Sequence, residues 1–290
     1  MTKNEYKKLN KIGIAFGGGG AKGFAHLGVM KAFEENGIEF DEVAGTSVGS
    51  IIGCLYCAGL KSDEIMQRAK NLKNKDILGL NILLFNNSTD GIEKLVKSFI
   101  GDIEFSDLKK PFTAVAVDIN TGKELHISSG NVAKAVTGSC AVPVVFNPVI
   151  LDKHRLVDGG VTNNVPADVL RHNNCKYVVS IDVNPKTGYG TKSNKTTSIL
   201  GASLKLLIKS NSVRAKMFSD IMIEIDTHKY KVAKIEKAEE LFKLGYDTAM
   251  KAMPKIKKLF EKRDNSEYST KKTYKVNKKR ILEDEDILKL

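Results

Sequence analysis

At 290 residues, 42% hydrophobic and 28% charged, the chain has the make-up of a globular protein that buries a real core, as one large α/β domain or two small ones. Its formal charge of +12, 46 basic against 34 acidic side chains, attracts polyanions. With no helix-turn-helix pattern, zinc module, tryptophan or stacking aromatic motif, specific nucleic-acid binding is not expected, and an anionic membrane surface is the better partner.

The start, Met1 to Lys11, is polar and basic without the apolar stretch of a secretory signal, and no apolar run reaches membrane-spanning length. A cytoplasmic protein, peripheral on the inner membrane face, is expected. After this extension, residues 1–10, the run Ile12 to Phe16 reads as a strand. Gly17-Gly18-Gly19-Gly20-Ala21-Lys22-Gly23 follows, and Ala21 to Glu35 carries Phe24, Leu27, Gly28, Ala32 and Phe33 at helical spacing, with Gly37 as a stop.

Two readings of the glycine loop stand side by side. Gly18-x-Gly20-x-x-Gly23 between strand and helix satisfies the dinucleotide-binding pattern, with Asp41 about twenty residues onward. That acid should close the second strand, however, and Asp41 precedes it; a P-loop fails too, because no Gly-Lys-Ser or Gly-Lys-Thr occurs in the loop. In the other reading Gly18, Gly19 and Gly20, free of Cβ atoms, turn backbone N–H groups onto an anionic oxygen, with the helix N-terminus and Lys22 adding positive charge. This is an oxyanion hole, and it calls for a nucleophile.

The next strand, Val43 to Gly45, supplies one. Gly45-Thr46-Ser47-Val48-Gly49 has the form of a nucleophile elbow, in which flanking glycines relieve crowding at a sharp strand-to-helix turn and expose the serine hydroxyl. The Val48 amide would join the oxyanion donors. The helix Val48 to Ala58 has small residues, Ser50 and Gly53, for close approach to a sheet. It also holds Cys54 and Cys57, which with Cys140 and Cys175 read as buried free thiols, because a zinc site would need two further ligands.

Helices over Ser62 to Leu72 and Gly91 to Ile100, strands over Phe112 to Asp118 and Leu125 to Ser128, and a helix over Asn131 to Thr137 come next. The short run Leu156 to Val157 then leads into Asp158-Gly159-Gly160. A histidine triad would use His172 or His228, which follow Asp158, yet hydrolases of that chain order place the nucleophile after a fifth strand and only 46 residues precede Ser47. His26 and His154 read as structural or exposed. A direct Ser47–Asp158 dyad is sufficient if burial lifts the carboxyl above its usual value of about 3.9. No cofactor or metal is called for. In a parallel sheet the three glycine-bearing motifs emerge at one edge.

Beyond the site, a strand over Tyr177 to Val183 leads to a Gly-, Lys- and Ser-rich loop, Lys186 to Thr197, read as solvated. A helix over Ile199 to Met217, a strand over Ile221 to Ile225 and a helix over Val232 to Met253 complete a domain at residues 11–253. Strands alternating with helices imply an α/β fold with a mostly parallel sheet covered on both faces. Residues 254–290 read as a basic, charged tail, in which Lys255 to Arg263 carries Ile256, Leu259 and Phe260 on one face and is a candidate for holding anionic bilayers.

These motifs together resemble the patatin-like phospholipase family. A glycine-rich loop with a basic residue (Gly18 to Gly23), a G-x-S-x-G serine (Gly45 to Gly49) and a D-G-[GA] acid (Asp158 to Gly160) match in order. So does a fourth segment, Ser139-Cys140-Ala141-Val142-Pro143-Val144-Val145-Phe146-Asn147-Pro148. The resemblance covers about Lys11 to Met253, and the compact size suits the bacterial single-domain type. It implies a three-layer α/β/α fold and calcium-independent hydrolysis of phospholipid, lysophospholipid or other acyl-ester lipids, with Ser47 and Asp158 as the dyad and Gly18, Gly19, Gly20 and Lys22 as the oxyanion region.

Overall fold

A computed structural model describes residues 10–71, 88–185, 192–230, 237–265 and 288–289. Its frame is a nine-stranded sheet. Strand β1 (Ile12–Phe16) lies parallel to β2 (Glu42–Thr46), and β2 lies parallel to β3 (Phe112–Asp118). Against β3 run the antiparallel β4 (Lys123–Ile127) and β6 (His154–Asp158), with β5 (Val149–Leu151) antiparallel to β6. On the other side of β1 come β7 (Tyr177–Asp182) and β8 (Ile221–Glu224), both parallel; β9 (Leu288–Lys289) pairs with β4. The sheet is therefore mixed, with a parallel half and an antiparallel half meeting at β3.

Strand alternation sorts the core by size. Ile12, Ile14 and Phe16 of β1, Val43 of β2 and Tyr177, Val179 and Ile181 of β7 face one apolar layer, while Ala15, Ala44, Val115 and Val178 face the other. The bulky side is covered by α1 (Phe24–Glu35), α2 (Val48–Ala58), α3 (Ser62–Asn71), α4 (Asp90–Ile100) and α5 (Val132–Ser139), with Asn131 capping α5 by accepting the Lys134 N–H at 3.0 Å. The small side carries α6 (Ala167–His172) and α7 (Thr196–Phe218). Helices on both faces make the three-layer arrangement that the alternation of elements implies.

The last long helix, α8 (Ala238–Asn265), runs through Pro254 and buries Met253, Ile256 and Phe260. The stretch read as a basic tail from 254 is thus helical as far as Asn265, and its apolar face is core: Phe260 sits edge-on to Phe40, and the buried Arg263 pairs with Asp41 at 3.3 Å. The start of the helix expected at Val232, the first half of the loop expected at Lys186 to Thr197 and most of the tail lie outside the described residues.

Helix α8 crosses α1 at two glycines. A Cβ on Gly245 would stand 1.9 Å from the Ala25 carbonyl oxygen, and one on Gly28 the same distance from that of Phe242. We expect Gly245→Ala to destabilise the fold by about 3 kcal/mol, because the obstructing atoms are backbone and cannot rotate aside. Urea unfolding checks this, with Gly201→Ala, whose added methyl meets nothing within 4 Å, as the control.

Candidate active site

Three glycines are what allow the elbow to form. A Cβ on Gly45 would lie 2.4 Å from the Gly49 carbonyl oxygen, one on Gly49 would lie 2.1 Å from that of Phe16, and one on Gly23 would lie 2.3 Å from the Val48 side chain. Strand β2, helix α2 and the glycine loop therefore converge to backbone contact. Ser47, squeezed between them, takes φ 55° and ψ −130°. A non-glycine residue held there costs about 1–3 kcal/mol, and it persists because the surroundings leave no alternative. The strain turns the half-exposed Ser47 outward at the N-terminus of α2.

Asp158 reaches the serine from the opposite direction to the one a parallel sheet implies. Strand β2 pairs with β3 as far as Thr46 opposite Val115, and β6 pairs with β3 from Asp158 opposite Ala116. Because β4 occupies the other edge of β3 throughout this stretch, β2 and β6 share one edge and run toward each other. Their C-terminal ends stop at adjacent positions of β3, and there Ser47 and Asp158 meet. Gly159 makes this possible, since a Cβ on it would lie 2.3 Å from the Val115 carbonyl oxygen.

The carboxyl of Asp158 is buried, and burial raises its pKa to about 6, against the opposing pull of hydrogen bonds from the Ser47 hydroxyl and the Gly160 N–H. The Gly160 bond is 2.7 Å. A carboxylate in this range is ionised at neutral pH yet basic enough to take a proton.

The glycine loop differs in detail from the sequence-based expectation. The Gly18 amide is not offered to the opening: it donates to the Asn164 carbonyl at 3.0 Å, as Gly17 does to Ile181. Gly19 and Gly20 are half-exposed, Gly20 has φ 57°, and among the described residues their amides have no backbone acceptor outside the helical ladder. The same holds for Val48 at the start of α2. Lys22 is fully buried; its ammonium donates to Asn184 Oδ1 at 2.8 Å, and Asn184 Nδ2 donates to the Gly18 carbonyl at 2.7 Å. Burial lowers the Lys22 pKa to about 8, with Asp182 opposing, so the amine stays charged at neutral pH but braces the loop from behind.

Other supports were not assigned from sequence. Ser139 Oγ accepts the Ser47 N–H at 2.9 Å and donates to the Val115 carbonyl at 2.6 Å, filling the gap where β2 ends and β6 has not begun. His26 Nε2 donates to the Gly17 carbonyl at 2.8 Å, and burial lowers its pKa to about 4, so it is a neutral strut. Thr46 Oγ1 donates to the Asn163 carbonyl. Ser139 lay in the fourth quoted segment, but only tertiary contact reveals its role; nothing in pattern or spacing marks Asn164 or Asn184. We expect Ser139→Ala to lower kcat about tenfold with little change in KM, since it leaves the Ser47 N–H and Val115 carbonyl unpaired at a buried junction. Steady-state kinetics on a soluble ester tests this, and an unchanged kcat would deny Ser139 its positioning role.

The histidines are occupied elsewhere. His126 bonds Glu124, His154 bonds Asp118, and exposed His228 bonds Asp226, while His172 closes α6 just before β7, at the far end of the sheet from the glycine loop. Asp41, the candidate ribose-binding acid, sits at that far end too, accepting the Ile12 N–H at 2.7 Å. Among the described residues no group of three or more His, Cys, Asp or Glu could hold a metal ion, and no helix is long and apolar enough to cross a membrane. All four cysteines are buried and free.

Comparison with known proteins identifies relatives of this chain. An uncharacterised NTE family protein of Mycobacterium bovis is 31% identical over 208 residues, covering 70% of this chain and 57% of its own length. Patatin-like phospholipase domain-containing protein 6 of Mus musculus is 32% identical over 204 residues, 67% of this chain but 15% of its own. The chain thus spans little more than half, and in the second case a small part, of the curated relatives it matches. Among solved structures, VipD from Legionella pneumophila shares the fold, with TM-score 0.51 at 18% identity over 85% of this chain and 67% of VipD. The family model for patatin-like phospholipase matches residues 14–171, the span from β1 to α6 that holds the glycine loop, Ser47 and Asp158. This chain belongs to the patatin-like phospholipase family.

Proposed function

We propose that the protein is a serine acyl hydrolase of lipid esters, acting through Ser47 and Asp158. The observation that carries this reading is the strained, half-exposed Ser47 where strand β2 meets the buried Asp158 carboxyl, whose pKa burial raises. Asp158 accepts the hydroxyl proton as Ser47 Oγ attacks the ester carbonyl. The carbonyl oxygen, now negative, is met by the amides of Gly19, Gly20 and Val48, each such donor being worth about 3 kcal/mol in the transition state. Collapse expels the alkoxide, which takes the proton from Asp158, and leaves an acyl-serine. Water, deprotonated by the same carboxylate, then releases the fatty acid and restores the serine.

Neither a histidine base nor a metal is used. Ser47 is half-exposed, which leaves it accessible to an ester substrate. The dinucleotide reading is the weaker one, since Asp41 stands at the wrong end of the strands. A fluorophosphonate probe tests the proposal: labelling of the wild type at Ser47, found by peptide mass spectrometry and absent in Ser47→Ala, is expected together with fatty-acid release from phospholipid or lysophospholipid. Labelling elsewhere, or none with folded protein, contradicts it.

A further inference from the structure

Helix α7 presents an apolar stripe to solvent. Ile199, Leu206 and Val213 recur every seven residues and fall within about 40° of Met217 on a helical wheel, with Leu200 and Leu207 alongside. All six are exposed, Met217 at 78%, Val213 at 59% and Leu206 at 52%. The opposite side of the helix is the packed one, where Ser212 and Ala215 are buried. An ordinary surface helix puts charges where this one puts leucine and methionine. No acidic residue occurs from Thr196 to Phe218, and Lys205, Lys209 and Lys216 line one flank of the stripe, Lys216 paired to Glu224 of β8 at 2.8 Å.

The packed side of α7 holds the proposed catalytic turn. Asn211 Nδ2 donates to the Val161 carbonyl, and Asn164, whose carbonyl fixes the Gly18 amide, donates from Nδ2 to Ser212 Oγ at 3.0 Å. Ile208 Cγ1 lies 3.6 Å from where a Cβ on Gly160 would stand. One helix thus touches the Asp158 turn with its inner side and solvent with an apolar outer side.

We propose that the outer face of α7 is the surface by which the enzyme docks on an anionic lipid bilayer, seating its six apolar side chains among the acyl chains with the lysines at headgroup level. An exposed apolar stripe flanked by a basic row and lacking acids is the arrangement of an interfacial helix. A second copy of the chain fits the charges poorly in an antiparallel pairing of α7 with itself, which sets the two lysine rows on the same side. The basic end of α8 is the weaker candidate, since its apolar side chains are already in the core. That docking feeds substrate to Ser47 rests on the acyl-hydrolase reading; the docking itself does not.

The test uses the full chain and co-sedimentation with vesicles of phosphatidylcholine, with and without phosphatidylglycerol. Wild type and Ser47→Ala are expected to bind the mixed vesicles alike, more weakly without phosphatidylglycerol and more weakly in high salt. The triple variant Leu206→Ser, Val213→Ser, Met217→Ser is expected to bind about tenfold less or worse, with hydrolysis of monomeric p-nitrophenyl butyrate unchanged. That unchanged turnover shows the variant is folded. Lys255→Glu with Lys258→Glu on α8 is expected to keep most of the binding.

Docking by α7 is overturned if wild type ignores both vesicles, if the triple variant binds as wild type does, or if light scattering shows a dimer that the triple variant dissolves. Failure of the catalytic reading looks different: p-nitrophenyl butyrate turnover would survive in Ser47→Ala, whatever the vesicles show.

Discussion

Asp158→Asn is expected to lower kcat on a soluble ester by about a thousandfold, the middle of the range for loss of a general base, while the protein remains folded. Asparagine keeps the size of the side chain and an oxygen for the Gly160 N–H, but it takes no proton from Ser47. In the wild type, kcat/KM is expected to rise with pH through about 6 and then level, because the proposed working form of Asp158 is the ionised one. The variant is expected to lose that inflection.

Stability moves the other way, and this separates a catalytic defect from unfolding. The folded chain holds the Asp158 proton up to about 6, whereas the unfolded chain releases it near the ordinary value of 3.8. Folding is therefore favoured below both values, and that contribution is lost as pH rises through 6. At pH 8 the buried charge costs about 3 kcal/mol. Asp158→Asn removes that cost, so its melting temperature at pH 8 is expected to equal or exceed that of wild type. A variant that is inactive and less stable at every pH would assign Asp158 a structural role instead.

The second large effect belongs to Gly49→Ala. Its methyl would stand 2.1 Å from the Phe16 carbonyl oxygen and 2.7 Å from that of Gly17, at the junction where the glycine loop rests on the elbow. Neither oxygen can yield without moving the loop, so we expect a loss of about 3 kcal/mol in unfolding free energy. Turnover should fall further than stability alone explains. A displacement of about 1 Å between the donors of Gly19 and Gly20 and the Ser47 hydroxyl is enough for about a hundredfold loss. Thermal unfolding and kcat measured below the melting temperature separate the two; near-normal turnover with wild-type stability would mean that loop and elbow do not touch as described.

Much of the fold was legible locally. Ile12–Phe16 and Phe112–Asp118 as strands and Val48–Ala58 as a helix match their sequence-based bounds, because β-branched runs between glycine turns and a small-residue helix leave little choice of conformation. Elements with weak patterns were not legible: α6 is short, and β5 is a partly exposed strand of three residues. Helix α8 runs past the Met253 bound expected from sequence because Ile256 and Phe260 find the core and outweigh the helix-breaking Pro254.

Local sequence marks the candidate parts of the site. Gly45, Gly49 and Gly159 are where side chains cannot fit, Ser47 sits on a turn set by its own neighbours, and the order of motifs marks the family. How those parts face one another follows from long-range packing alone. Asp158 arrives on an antiparallel strand that meets β2 end to end on the edge of β3, a pairing across more than a hundred residues that no local pattern encodes. Hydrogen-bond competition spends the Gly18 amide on Asn164 and the Lys22 ammonium on Asn184, leaving Gly19 and Gly20 to the opening. Packing likewise chose between two amphipathic helices, burying the apolar face of α8 and leaving that of α7 bare, because burial depends on what else in the fold offers a matching surface.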